Sequence, residues 1–101
     1  MVVYNKLVRD NIPDILDKKG IVYEKRIASL EEYKVELVKK LAEEVVEFSA
    51  ELSMEELADI VEVIESLKQL PEYNNLEVVR LKKKEEKGGF DKRIILKGQK
   101  D

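Results

Sequence analysis

Two acidic stretches carry the residues best placed to do chemistry: Glu43-Glu44-Val45-Val46-Glu47 and Glu56-Leu57-Ala58-Asp59. Each holds an acid pair at i, i+3, so on a helix Glu44 shares a face with Glu47, and Glu56 with Asp59. Four carboxylates from two facing helices form an oxygen cage suited to Mg²⁺ or Mn²⁺. With 22 Asp and Glu among 101 residues, such spacing is common, and direction is the better discriminator. At 100° per residue, Glu44 falls on the border of its helix's apolar stripe and Glu47 lies well outside it. Glu56 falls inside the stripe of the second helix, near Ile60 and Val63, and Asp59 lies just beyond its edge. A carboxylate on an apolar face must be neutral, paired or bound to a metal, because burying a lone charge is too costly. Glu56 has a second reading, as the acid of a capping box opened by Ser53. Glu43, Glu51, Glu55, Glu62 and Glu65 read as a solvated acidic face.

Composition narrows the chemistry further. The chain has no Cys, which excludes disulfides, thiolate metal sites and cysteine nucleophiles. It has no His, which removes imidazole bases, Ser-His triads and nearly every catalytic zinc site. Carboxylates with a hard metal ion remain, together with Lys, Tyr or Arg chemistry. The basic groups split in the same way as the acids. Lys82, Lys83, Lys84 and Lys87 crowd a helix C-terminus, where cations suit the dipole. Alternatively Lys84, Lys87, the Gly88-Gly89 pair and Arg93 hold phosphate oxygens, with Lys6 and Arg9 as candidates for the same anion.

The net charge of −3 conceals a segregation. Residues 31–65 hold 12 acids against 3 Lys/Arg, whereas residues 80–98 hold 8 Lys/Arg against 3 acids. An acidic centre between basic ends fits a cation site flanked by anion-holding groups. The acidic total argues against a nucleic-acid partner. At 101 residues and 44% apolar content the chain reads as one domain over 1–101 with a small core. No apolar run approaches a membrane span and no secretory h-region opens the sequence, so the expectation is a soluble cytoplasmic protein with no membrane partner.

The elements that must position these side chains read as mainly α. Asp10 or Asn11 caps a short helix with Pro13 in its first turn, and Gly20 is a left-handed stop. Ser29 to Glu32 is a capping box for a long helix whose stripe is Leu37, Val38, Leu41, Val45, Phe48 and Leu52. Ser53 to Glu56 opens the next at once, with Leu57, Ile60, Val61, Ile64, Leu67 and Leu70 on one face and Pro71 as its end. Two long helices so joined form an antiparallel hairpin. A further helix runs from Asn74 or Asn75 to Gly88-Gly89. Short strands are expected at 21–27 and 93–96, pairing with each other, and residues 2–8 are expected to be extended. So thin a core favours a bundle completed by oligomerisation.

Glu43 to Glu47 followed by Glu56 to Asp59 resembles the EExxE…ExxD signature of MazG-type, all-α nucleotide pyrophosphohydrolases. YNKLVRDNIP at 4–13, KLAEEVVEF at 40–48, EELADIVEV at 55–63 and KKKEEKGGFDKRIIL at 82–96 are similar to a small branch of that superfamily labelled phosphoribosyl-ATP pyrophosphohydrolase-like. Two departures stand out: only eight residues separate Glu47 from Glu56, and Asn11 replaces an expected Lys. The resemblance implies Mg²⁺-dependent hydrolysis of a nucleoside triphosphate between its α and β phosphates, with Mn²⁺ as a substitute, in a homodimer or homotetramer. It further implies Glu44, Glu47, Glu56 and Asp59 as metal ligands and Glu43 and Glu47 as catalytic carboxylates. Lys6, Arg9, Lys84, Lys87 and Arg93 become phosphate-side groups, and Tyr4, Tyr33 and Phe90 candidates for stacking on a base. The reading from a different class is a catalytically silent helical oligomer that binds a nucleotide or a protein partner.

Overall fold

A computed structural model of the chain describes residues 5–99, and those residues are mainly α-helical. Helix α1 spans Ile12–Lys18 with Pro13 in its first turn. Asn11 precedes it without a side-chain cap, and Gly20 takes the expected left-handed conformation at φ 69°. The Tyr23 hydroxyl then lies 2.7 Å from the Asp17 carboxylate, which holds the following segment to α1.

Helix α2 spans Leu30–Glu51 and opens where Ser29 Oγ accepts the Glu32 backbone N–H at 3.2 Å. Only this half of the capping box forms, because the Glu32 carboxylate is taken by both terminal nitrogens of Arg26 at 2.6 Å each. A forked guanidinium is a stronger partner than a backbone N–H. Leu52 ends α2 in the left-handed region at φ 52°, its N–H bonded to the Phe48 carbonyl. The turn is tight enough for α3, Met54–Lys68, to start with only Ser53 between it and Leu52, Ser53 Oγ accepting the Glu56 N–H at 3.2 Å. Helix α3 closes three residues before Pro71, and Pro71–Tyr73 forms a 3₁₀ turn. Lys34 ties that turn to the start of α2, 2.9 Å from Glu72 and 5.3 Å from the centre of the Tyr73 ring. Helix α4, Leu76–Lys87, runs from Asn75 to Gly88.

Packing is concentrated between α2 and α3. Leu37, Val63 and Leu70 are the buried apolar residues, and Leu7, Tyr33, Leu41 and Leu67 pack around them. Much of each predicted stripe stays on the surface, including Val38, Val45, Leu57 and Val61. The radius of gyration is 18.0 Å, against about 13 Å for a compact chain of this length. No helix among the described residues is long and apolar enough to cross a membrane.

The expected strands are a correction. Residues 21–27 and 93–96 adopt no strand, and no ladder joins them. The described part of 2–8, from Asn5, is also irregular, while residues 2–4 lie outside the described residues. β-Branched residues favour strands only when a second backbone supplies the ladder and a surface covers one face. Val22, Ile27, Ile95 and Leu96 have neither and are exposed.

Candidate functional site

The register of the two long helices brings Glu44 of α2 opposite Glu56 and Asp59 of α3. One carboxylate oxygen from each of the three lies within 4.8 Å of the others. Glu56 occupies the third position of α3, where Ser53 sets the start of the helix; one turn later Asp59 lies on the same side. Glu44 is only 5% exposed and is the one buried charged residue among those described.

Its surroundings set its electrostatics. Burial pushes the Glu44 carboxyl above its ordinary range; Lys40, at 3.3 Å, pulls it back and the nearby Glu47 pushes it up again. Glu44 Oε2 and Glu56 Oε2 are both buried without a hydrogen-bond partner. Two unpartnered carboxylate oxygens on neighbouring helices are unfavourable unless something positive sits between them. The capping role of Ser53 toward the Glu56 backbone does not account for that side-chain oxygen.

Cations stand around the acids. Arg9 Nη2 lies 2.6 Å from Asp59 Oδ1, Lys6 lies 3.0 Å from Glu43, and Lys40 lies 3.5 Å from the same Glu43 oxygen. The Lys6 hydrogen bond holds the Glu43 carboxyl below its ordinary range. Arg9, Lys40, Glu44 and Asp59 share a cleft of about 360 Å³ with apolar walls that include Ile12, Tyr33 and Val63. That volume falls in the range of small-molecule sites.

Not every predicted residue joins this centre. Glu47 is exposed, close enough to Glu44 to raise its pKa but outside the three-oxygen cluster. Lys84, Lys87 and Arg93 line neither the cleft nor an ion pair among the described residues, and Phe90 is fully open to solvent. Of the aromatic candidates, Tyr33 lines the cleft, whereas Tyr4 lies outside the described residues. Lys40 is the residue beside the cluster that spacing failed to single out. Its signal was present in the i, i+4 step to Glu44, which helical geometry makes a contact.

The donor set is all hard oxygen, which fits Mg²⁺ or Mn²⁺ rather than a soft metal. No model of a known protein family, no curated protein and no solved structure matches the chain.

Proposed function

We propose that the chain is a Mg²⁺-dependent nucleotide pyrophosphohydrolase that cuts a nucleoside triphosphate between its α and β phosphates. The observation that supports it is the meeting of Glu44, Glu56 and Asp59, with buried carboxylate oxygens left unpartnered. These three residues would hold the cation, with Glu47 reaching in beside Glu44. The cation supplies charge against the phosphate oxygens and a more acidic water. Glu43, kept ionised by Lys6 and Lys40, orients the attacking water, and Glu47 accepts its proton. Tyr33 offers a ring for the base, and Arg9 is the basic candidate that touches Asp59 and lines the cleft, where it would meet a phosphate.

The antiparallel α2–α3 hairpin forms half of a bundle completed by a second copy in a homodimer, or by more in a homotetramer. The three-residue apolar core, the large radius of gyration and the exposed stripe of Val35, Val38, Val45 and Val46 support this assembly. The competing reading, a silent helical oligomer that binds a nucleotide or a protein, draws on the ion pairs that already offset the acids.

Release of pyrophosphate and orthophosphate from a panel of nucleoside triphosphates, with Mg²⁺, Mn²⁺ or EDTA, separates the two. EDTA-sensitive pyrophosphate release that is lost in Glu56→Gln is the expected result. Orthophosphate alone overturns the bond assignment, and no release from any nucleotide moves the reading to the silent oligomer.

A further inference from the structure

The contact between Arg9 and Asp59 joins residues 50 apart in sequence, and it lies on the carboxylate cluster itself. Asp59 Oδ1 is engaged by Arg9 and Glu44 Oε1 by Lys40, while Glu44 Oε2 and Glu56 Oε2 have no partner. The cluster is thus held together by cations at its rim, with its buried oxygens unsatisfied. Arg9 is also tethered. Leu7 packs against the Leu37–Val63–Leu70 core, and Leu7 to Ile12 line the cleft beside Glu44 and Asp59. The guanidinium therefore cannot drift far when its ion pair opens.

We propose that Arg9 is an exchangeable counter-ion of the carboxylate centre: it rests on Asp59 when no divalent cation is bound and passes to a phosphate oxygen of the substrate when one is. The inference rests on the metal-site reading above and adds the residue that couples the cation to the anion. A guanidinium stays charged at any working pH, so it competes with a metal ion for Asp59 by charge and never by losing a proton. Its planar fork matches phosphate as well as carboxylate. With Asp59 holding a cation, the same side chain would be released at the rim of the cleft it lines, where a phosphate oxygen would replace its carboxylate partner. Lys40 differs, because it lies on α2 one turn from Glu44 and stays with its carboxylate.

The test uses the folded full chain, with circular dichroism to verify helix content in each variant. Calorimetric titration with Mn²⁺ alone, then with inorganic pyrophosphate in excess Mn²⁺, is made on wild type, Arg9→Met and Arg9→Lys. Removal of a resident positive charge tightens Mn²⁺ binding by roughly tenfold, whereas pyrophosphate binding weakens by at least about tenfold, on the scale of one charge-assisted contact. Arg9→Lys keeps the competing charge and restores the wild-type Mn²⁺ affinity, with pyrophosphate binding between the other two. Mn²⁺ binding that is unchanged or weakened in Arg9→Met, with wild type binding normally, overturns the exchange and makes Arg9 a fixed support of Asp59. Unchanged pyrophosphate binding overturns the transfer to phosphate. Failure of wild type to bind Mn²⁺ overturns the metal-site reading and the exchange with it.

Discussion

Replacing Glu56 by Gln should make the protein more stable than wild type in EDTA and less stable than wild type in saturating Mn²⁺. Glu56 lies within 4.8 Å of two further carboxylate oxygens, those of Glu44 and Asp59. Like charges at that distance repel by about 0.9 kcal/mol at the dielectric of water and about 3.5 kcal/mol at an effective value of 20. Lys40 and Arg9 offset part of this repulsion, so a net relief of about 1 kcal/mol is the reasonable expectation. Gln keeps the volume and leaves the Ser53 cap on the backbone N–H intact, and its amide is able to donate to the orphaned Glu44 oxygen. The variant should melt about 4–8 °C higher than wild type in EDTA at low ionic strength. With Mn²⁺ at a hundred times its dissociation constant, wild type gains about 2.7 kcal/mol, and Glu56→Gln should gain little. Thermal unfolding followed by circular dichroism reads both arms. A Glu56→Gln protein no more stable than wild type in EDTA, yet fully responsive to Mn²⁺, would refute the gathering of these three acids.

Three further outcomes are expected. Leu37→Ala, at a residue 3% exposed in a core of three, should cost about 2–5 kcal/mol in urea unfolding; a loss under about 1 kcal/mol would mean the site is not packed in solution. The Arg26 fork holds the Glu32 carboxyl below its ordinary 4.5, so that pair contributes stability above pH 4.5 and loses it as pH falls through the lowered value. Arg26→Gln should therefore be the weaker protein at neutral pH, with its deficit closing in acid; a deficit that persists below both values would place it elsewhere than this pair. Val38→Lys sits on the exposed stripe of α2 and should yield a monomeric mass by light scattering where wild type gives a multiple of 11.8 kDa. An unchanged mass distribution would count against that stripe as the assembly face.

Helix boundaries were legible because their causes are local. Ser29 and Ser53 announce helix starts that the structure uses, and Gly20 and Gly88 mark stops. The apolar spacing of the two long helices points to Leu37 and Leu70, which do form the core, together with Val63, which the expected face of the second helix leaves out. That spacing says nothing of how much of each stripe a small partner can cover, and so Val38, Val45 and Leu57 remain exposed. Strand content was misjudged at 21–27 and 93–96, since a strand depends on a distant backbone and residue type reports only a preference for one.

The carboxylates divide along the same line. Spacing on single helices paired Glu44 with Glu47 and Glu56 with Asp59, and periodicity set Glu44, Glu56 and Asp59, but not Glu47, at or near an apolar face. Which of them converge depends on the register between helices. Glu44, Glu56 and Asp59 meet, while Glu47, one turn further along α2, projects to solvent beside Glu44. The placement of Arg9 on Asp59 belongs wholly to tertiary structure. Composition left carboxylates with a hard metal ion, and Lys, Tyr or Arg chemistry, as the routes open to this chain, because it carries no Cys and no His. Only packing decided which oxygens were stripped of water and which cations were set against them, because desolvation and ion pairing are properties of neighbours in space.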